Sequence, residues 1–183
     1  RGMLYSSQLD SLPPNYDPAI AADAFHTFIA ALNDLGLIAF DALSVLETAE
    51  NKEELFFKRD HHWTPRGAQI VAGGLAAFLF EAYPLNDLVK NEFVTEIVDE
   101  QSENSSSQGR ILKESCGITP PPEYFARPVT SKKSSDLLGE EAPPDVVLVG
   151  TSYSYRGEES WRYNFDGFIK EALQIDVLNY GIS

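Results

Sequence analysis

Asp60, His62 and Ser152 are the side chains whose types and spacing could carry out acyl transfer. A serine hydroxyl is a weak nucleophile until an imidazole accepts its proton, and the imidazole works best when a carboxylate orients it. The first two lie in Asp60-His61-His62-Trp63-Thr64-Pro65, where a carboxylate precedes an imidazole by two residues just ahead of a helix start. In an extended Asp-x-His both side chains share a face, so Asp60 is expected to reach His62 while His61 points away. Ser152 lies in Gly150-Thr151-Ser152-Tyr153-Ser154, straight after the apolar run Val146-Val147-Leu148-Val149. Strand, small-residue turn and helix is the geometry that exposes a nucleophile at the C-terminal edge of a sheet. Ser154 is the rival nucleophile, and alternation after the turn points it away from Ser152. Spacing alone leaves a second reading open, with Asp60 a loop acceptor, His62 a packed polar residue and Ser152 a turn former.

The elements that must position these residues follow from local signals. Asp17-Pro18 makes an N-cap and first helical position, and Ala21, Phe25, Phe28, Ile29, Leu32 and Leu35 recur at helical spacing until Gly36. Leu37 to Phe40 and Leu55 to Phe57 are expected as short strands, the second leading into Asp60. Thr64-Pro65 starts a helix that runs to about Tyr83 and stops at Pro84. Phe93 to Val98 alternates as an edge strand would, whereas Gln101 to Gln108 is polar and serine-rich and is expected to be a surface loop. Pro120-Pro121-Pro122 and Pro143-Pro144 bound a further irregular stretch. Val146 to Val149 is a strand, Phe165, Phe168, Ile169 and Leu173 mark a helix, and Val177-Leu178 a last strand. Strands and helices in alternation predict an α/β domain with a mainly parallel sheet covered on both sides.

Composition bounds the rest. At 183 residues and 43% hydrophobic content the chain can bury one sizeable core, and a single domain is expected. No stretch approaches the roughly 20 apolar residues of a membrane span, and the opening Arg1-Gly2-Met3 carries no signal-peptide pattern. Fourteen basic against 28 acidic residues leave a net charge of −14, which argues against nucleic acid as a partner and sets a long-range repulsion against any polyanion. A polyanionic substrate would therefore need a local basic groove. Lys58, Arg59 and Arg156 stand nearest the motifs, with Arg66 and Arg162 close by and Arg110 and Lys113 farther off. No metal is expected, because three neighbours such as Asp60, His61 and His62 do not easily converge on one ion. Trp63 and the aromatic group Tyr153, Tyr155, Trp161 and Tyr163 could stack on sugar rings, or simply pack. His26 lies far from either motif and is expected on the surface or in packing. Cys116 is the one cysteine and is expected to be a small buried residue.

Asp-x-His-Trp-Thr-Pro followed far downstream by Gly-Thr-Ser-Tyr-Ser resembles the alginate O-acetyltransferase family of AlgX and AlgJ. The resemblance covers most of the chain from about Leu55 onward and includes Asn164-Phe165-Asp166-Gly167-Phe168 and Asp176-Val177-Leu178-Asn179. It implies an SGNH-hydrolase-like three-layer sandwich. It also implies a circular permutation, since the serine block follows the Asp-His block where ordinary SGNH hydrolases have it first. Thr151 replaces the Asp of Gly-Asp-Ser and Asp-x-His replaces Asp-x-x-His, departures that this family shares. Asn179-Tyr180-Gly181-Ile182-Ser183 resembles the start of the block whose glycine supplies an oxyanion-hole amide. By that resemblance the glycine falls just past Ser183, so the domain is expected to be incomplete at one or both ends. It further implies that Cys116 could pair with a cysteine upstream of Arg1, and that the protein works in the periplasm.

The expected activity is polysaccharide O-acetylation, most simply of alginate during exopolysaccharide biosynthesis. Ser152, His62 and Asp60 would act as nucleophile, base and orienting carboxylate, with Arg156, Lys58, Arg59, Tyr153 and Trp63 as substrate-binding candidates. No cofactor is called for. The acetyl donor is left open, and other proteins of a secretion complex are possible partners. A carbohydrate acetylesterase, with water as acceptor, and a non-catalytic polysaccharide-binding module are the alternatives.

Overall fold

The chain begins its regular structure where Asp17 caps a helix, its carboxylate accepting from the Ala19 and Ile20 amides with Pro18 in the first turn. A computed structural model describes residues 3–6, 11–88, 90–104, 106–133, 144, 146–154 and 163–181. Arg156, Tyr155, Trp161 and Arg162 lie outside the described residues, as does Ser183. The elements are α1 (Pro18–Asp34), α2 (Ala42–Thr48), α3 (Pro65–Ala82), β1 (Phe93–Asn104), α4 (Ser107–Cys116), β2 (Glu123–Lys132), β3 (Val146–Gly150), α5 (Phe165–Leu173) and β4 (Val177–Gly181).

The core lies between α3 and α5 and runs up to β4. Val71, Ala72 and Ala76 of α3 meet Phe165, Phe168, Ile169 and Leu173 of α5, and Leu55, Ile175 and Val177 close the cluster. Leu55 and Ile175 are fully buried. Burying a side chain of that size is worth about 1.5–3 kcal/mol. Small residues on α3 let the helices and the preceding loop approach closely. A Cβ at Gly67 would collide with the Leu55 carbonyl oxygen, so the segment carrying His62 lies flush on the first turn of α3.

Two two-stranded sheets are present among the described residues. β1 and β2 are antiparallel, while β3 and β4 are parallel and in register from Val146↔Val177 to Gly150↔Gly181. The expectation of one mainly parallel sheet is thus met only by β3–β4. β1 runs well past Val98, and the expected loop at Gln101 to Gln108 instead holds the end of β1 and the start of α4. Ser106 caps α4 through the Gly109 amide at 2.9 Å, and Gly117 ends it with φ of 67°. Those caps outweigh the polar composition of the segment.

Leu37 to Phe40 is not a strand. The Asn33 side chain satisfies the Ala39 amide and carbonyl at 2.9 and 3.0 Å, so this backbone has local partners and no neighbour to pair with. Leu55 to Phe57 likewise makes a single antiparallel bridge, Phe56↔Trp63. Cys116 is exposed rather than buried.

α1 forms where its caps and periodicity predict, but none of its residues is buried, and Ile20 and Phe28 face solvent. What ties it to α2 is His26, with Nδ1 2.6 Å from the Asp41 carboxylate and Nε2 3.3 Å from Glu47. The hydrogen bond with Asp41 holds the imidazole above its ordinary range, against a smaller opposing effect of burial, and the two negative charges add to it. Burial pushes the Asp41 carboxyl up, but hydrogen bonds from the Ser44 amide, His26 and the Ser44 hydroxyl together hold it below the usual range. The raised histidine contributes stability at low pH that is lost as pH rises through its folded value. The depressed Asp41 contributes stability that is lost only in acid. His26→Ala is therefore expected to lower the unfolding temperature more near about pH 5.5 than near about pH 9, a difference readable by circular dichroism. Equal losses at both would show that the contact is steric.

Candidate active site

Asp60 and His62 sit on the loop between Leu55 and Thr64, which two backbone bonds close. The Phe57 amide donates to the His62 carbonyl at 3.3 Å, and the Thr64 amide to the Leu55 carbonyl at 2.9 Å. Thr64 then caps α3 through the Gly67 amide, with Pro65 in the first turn. Below the loop, Glu123 of β2 accepts the amides of Lys58 and Arg59 at 2.7 and 2.8 Å, and the Ser106 hydroxyl donates to the Arg59 carbonyl. The residues ahead of Asp60 are held from one side by α3 and from the other by the β1–β2 ribbon.

Ser152 follows β3 in a tight turn. The Ser154 amide donates to the Thr151 carbonyl at 2.9 Å, and a Cβ on Gly150 would collide with the Ser154 hydroxyl. Ser154 is buried and spends its hydroxyl on the Thr151 carbonyl, so it does not compete as a nucleophile in this arrangement. Asn179 on β4 fastens the turn from beside, its amide nitrogen donating to the Ser154 carbonyl at 2.5 Å and its oxygen accepting from the Gly181 amide.

These two turns meet across 90 residues of sequence. His62 Nε2 lies 2.9 Å from Ser152 Oγ, and His62 Nδ1 lies 2.7 Å from Asp60 Oδ1. A carboxylate can only accept, so Nδ1 carries the proton and Nε2 is left to accept from the serine hydroxyl. The Asp60 side chain is 3% exposed and that of His62 12%, so water competes little for the Asp60–His62 bond. The His62 backbone amide also donates to Asp60 Oδ1 at 3.2 Å.

Aromatic rings hold the imidazole. Tyr163 stacks on His62 with centroids 5.3 Å apart and planes at 25°, and Tyr153 approaches at 5.0 Å. Tyr163 is backed by Phe57 and Phe125 in a second small core. Of the two roles left open for Tyr163, sugar stacking and packing, its 3% exposure fits packing, and it serves as a wall for His62. No periodic signal marks it, because it stands just ahead of α5 rather than on the repeating apolar face of a long helix or strand.

The other sequence-predicted residues divide. Tyr153 donates its hydroxyl to the His61 carbonyl at 2.5 Å and so joins the serine turn to the histidine loop. Trp63 packs edge-on to Tyr153 at 5.1 Å and against Phe165 at 4.8 Å, a packing position at the rim of the core. Lys58 and Arg59 line a separate cleft of about 910 Å³ between α3 and β2, which none of Asp60, His62 and Ser152 lines. The Arg59 guanidinium donates to the Pro121 carbonyl at 2.9 Å. His61 does not point away as an extended Asp-x-His would require. Residues 60–62 form a bend, and His61 Nδ1 lies 3.4 Å from the same Asp60 oxygen, its ring 3.8 Å from that of His62.

An α/β core with a serine at the end of a parallel strand, bonded to an Asp-x-His pair on a neighbouring loop, defines an SGNH-hydrolase-like domain. Residues 5–182 match the family described as "SGNH hydrolase-like domain, acetyltransferase AlgX", and the chain belongs to that family. Among relatives, the "Probable alginate O-acetylase AlgJ" of Pseudomonas fluorescens is 35% identical over 185 residues, covering 97% of this chain and 44% of the relative. The "Alginate biosynthesis protein AlgX" of Pseudomonas aeruginosa is 30% identical over 172 residues, covering 92% and 35%. The solved structure of Pseudomonas aeruginosa AlgX superposes with a TM-score of 0.80 at 27% identity, over 100% of this chain and 41% of that one. The O-acetyltransferase domain of Pseudomonas putida AlgJ does so at 0.78 and 25%, over 100% and 60%. The chain spans less than half the length of these curated relatives.

Proposed function

We propose that this domain is a polysaccharide O-acetyltransferase that works through an acetyl-serine on Ser152, with an alginate-like polymer as acceptor. The observation that carries the reading is the continuous hydrogen-bonded path from Asp60 through His62 to Ser152, at 2.7 and 2.9 Å. Ser152 Oγ attacks the acetyl carbonyl of a donor ester while its proton passes to His62 Nε2, and the departing group takes that proton as the carbonyl re-forms. A sugar hydroxyl then gives its proton to Nε2 and attacks the acetyl-serine. The ester moves to the sugar, and Ser152 regains the proton. Asp60 stabilises the imidazolium in both halves without itself being protonated. The Ser152 amide would serve as one oxyanion donor.

Family membership and the names of the relatives support sugar rather than water as the acceptor. Alginate biosynthesis, named for the relatives, would place the protein in the periplasm beside other proteins of a secretion complex. No helix among the described residues is long and apolar enough to cross a membrane. The order of the two motifs supports a circularly permuted three-layer sandwich, of which β3–β4 would be the parallel part. The substrate-binding set proposed is Arg156, Lys58, Arg59, Tyr153 and Trp63. With Lys58 and Arg59 in the neighbouring cleft, a polymer would have to cross from that cleft to Ser152.

The test is to supply p-nitrophenyl acetate with oligomannuronate and to follow acetylated oligomer by mass spectrometry beside free acetate. Transfer is expected to exceed hydrolysis once oligomer is present. Because the chain carries −14, oligouronate must bind through local cations. Its affinity is therefore expected to fall with added salt and with Arg156→Ala, as exposed ion pairs of about 0.2–1 kcal/mol are screened. Acetate alone in every condition would reduce the reading to an acetylesterase. Salt-independent preference for a neutral glycan would remove alginate as the acceptor.

A further inference from the structure

We propose that Asp60, His61 and His62 also form a binding site for one borderline-soft divalent cation, Zn²⁺ being the type, and that its occupation switches the serine off. The donor atoms, one carboxylate oxygen and two imidazole nitrogens, lie within 4.8 Å of one another, although three successive residues were not expected to converge. The bend at residues 60–62 brings them together, with Nδ1 of both rings turned toward Asp60 Oδ1 at 3.4 and 2.7 Å. Imidazole and carboxylate bind Zn²⁺ at about 2.0–2.2 Å, which sets tetrahedral ligand edges of roughly 3.3–3.5 Å. The His61–Asp60 edge already has that length, and the His62–Asp60 edge must open by less than an ångström. Asp60 is buried and brings a full negative charge, while the His61 side chain is 49% exposed and gives the ion a way in from solvent. Water completes the fourth position. The donor set suits Zn²⁺, Ni²⁺ or Cu²⁺ and disfavours Mg²⁺, which prefers an all-oxygen octahedron.

The consequence for His62 follows from its tautomer. A neutral imidazole has one ring proton. With the metal on Nδ1 that proton must sit on Nε2, so the proton formerly given to Asp60 is exchanged through solvent for one facing Ser152, with no net release. Nε2 then donates to Ser152 Oγ, 2.9 Å away, and cannot take its proton. His61 distinguishes the site, since Asp60 and His62 alone offer only two donors already bonded to each other. Binding stands independently of the acyl-transfer reading; only the loss of activity rests on it.

The test is isothermal titration of the whole domain with zinc chloride, beside His61→Ala and Ser152→Ala, with p-nitrophenyl acetate hydrolysis followed in parallel. One ion per chain is expected for the wild type and for Ser152→Ala, weakened about tenfold or more in His61→Ala, since even outer partners of a metal ligand are worth 10–100-fold. Zinc is expected to suppress wild-type hydrolysis and EDTA to restore it, while whatever hydrolysis His61→Ala retains is insensitive. No stoichiometric binding, or equal affinity in His61→Ala, would overturn the site. Binding without inhibition would overturn the switch. If the wild type hydrolyses nothing, the acyl-transfer reading fails, and the titration alone decides the metal site.

Discussion

Replacing Ser152 by alanine is expected to lower acetyl release from an activated ester by about 10⁴- to 10⁶-fold, the range seen when the nucleophile of such a relay is removed. The fold should not change. Ser152 is a turn residue with its hydroxyl turned to His62, and the turn is closed by the Ser154 amide and by Asn179. Ser154→Ala is the matched control. It removes a hydroxyl bonded at 3.2 Å to the Thr151 carbonyl, at a cost of about 1 kcal/mol of stability, and is expected to leave the rate within a few-fold. Steady-state hydrolysis by the two variants separates them. Full activity in Ser152→Ala would mean that the reacting hydroxyl is another.

Asp60→Asn should produce a loss of about 10⁴-fold in kcat with little change in KM. The substitution keeps the volume of a side chain buried under the loop, but its amide nitrogen is a donor. If that nitrogen faces His62, Nδ1 must accept, and the ring proton moves to Nε2, the side that has to be empty. A loss below about tenfold would show that Asp60 only fills space. Thermal unfolding of the variant distinguishes the two causes, because a collapsed loop would also free the Phe57–His62 and Thr64–Leu55 backbone bonds.

Much of this site was legible in the sequence because the signals there are local. Thr64-Pro65, Asp17-Pro18 and the apolar run at Val146 each announce an element by its own chemistry, and α3, α1 and β3 stand where those signals put them. The pairing of Asp60 with His62 was also anticipated, although by the wrong geometry. An extended strand would have turned His61 outward, whereas the bend places both imidazoles on one carboxylate. What was missed depends on partners distant in sequence. β2 lies in the stretch between Pro120-Pro121-Pro122 and Pro143-Pro144 that was expected to be irregular, and it forms through its antiparallel pairing with β1. Gln101 to Gln108 is polar and looked like a loop, but Ser106 caps the start of α4 there and Gly117 ends the helix. Tyr163 and Asn179 act only through contacts with His62 and with the Ser154 carbonyl, and no local pattern foretells such contacts. Lys58 and Arg59, adjacent to Asp60 in the chain, face a different cleft because Glu123 fixes their backbone.

The most direct test of the central claim is peptide mass spectrometry of the protein quenched in acid soon after mixing with p-nitrophenyl acetate. Acetyl is expected on Ser152, absent in Ser152→Ala, retained in Ser154→Ala, and discharged when oligomannuronate is added before the quench. An unmodified Ser152 in a protein that still turns over the ester, or an acetyl group on another side chain that oligomer discharges, would contradict it.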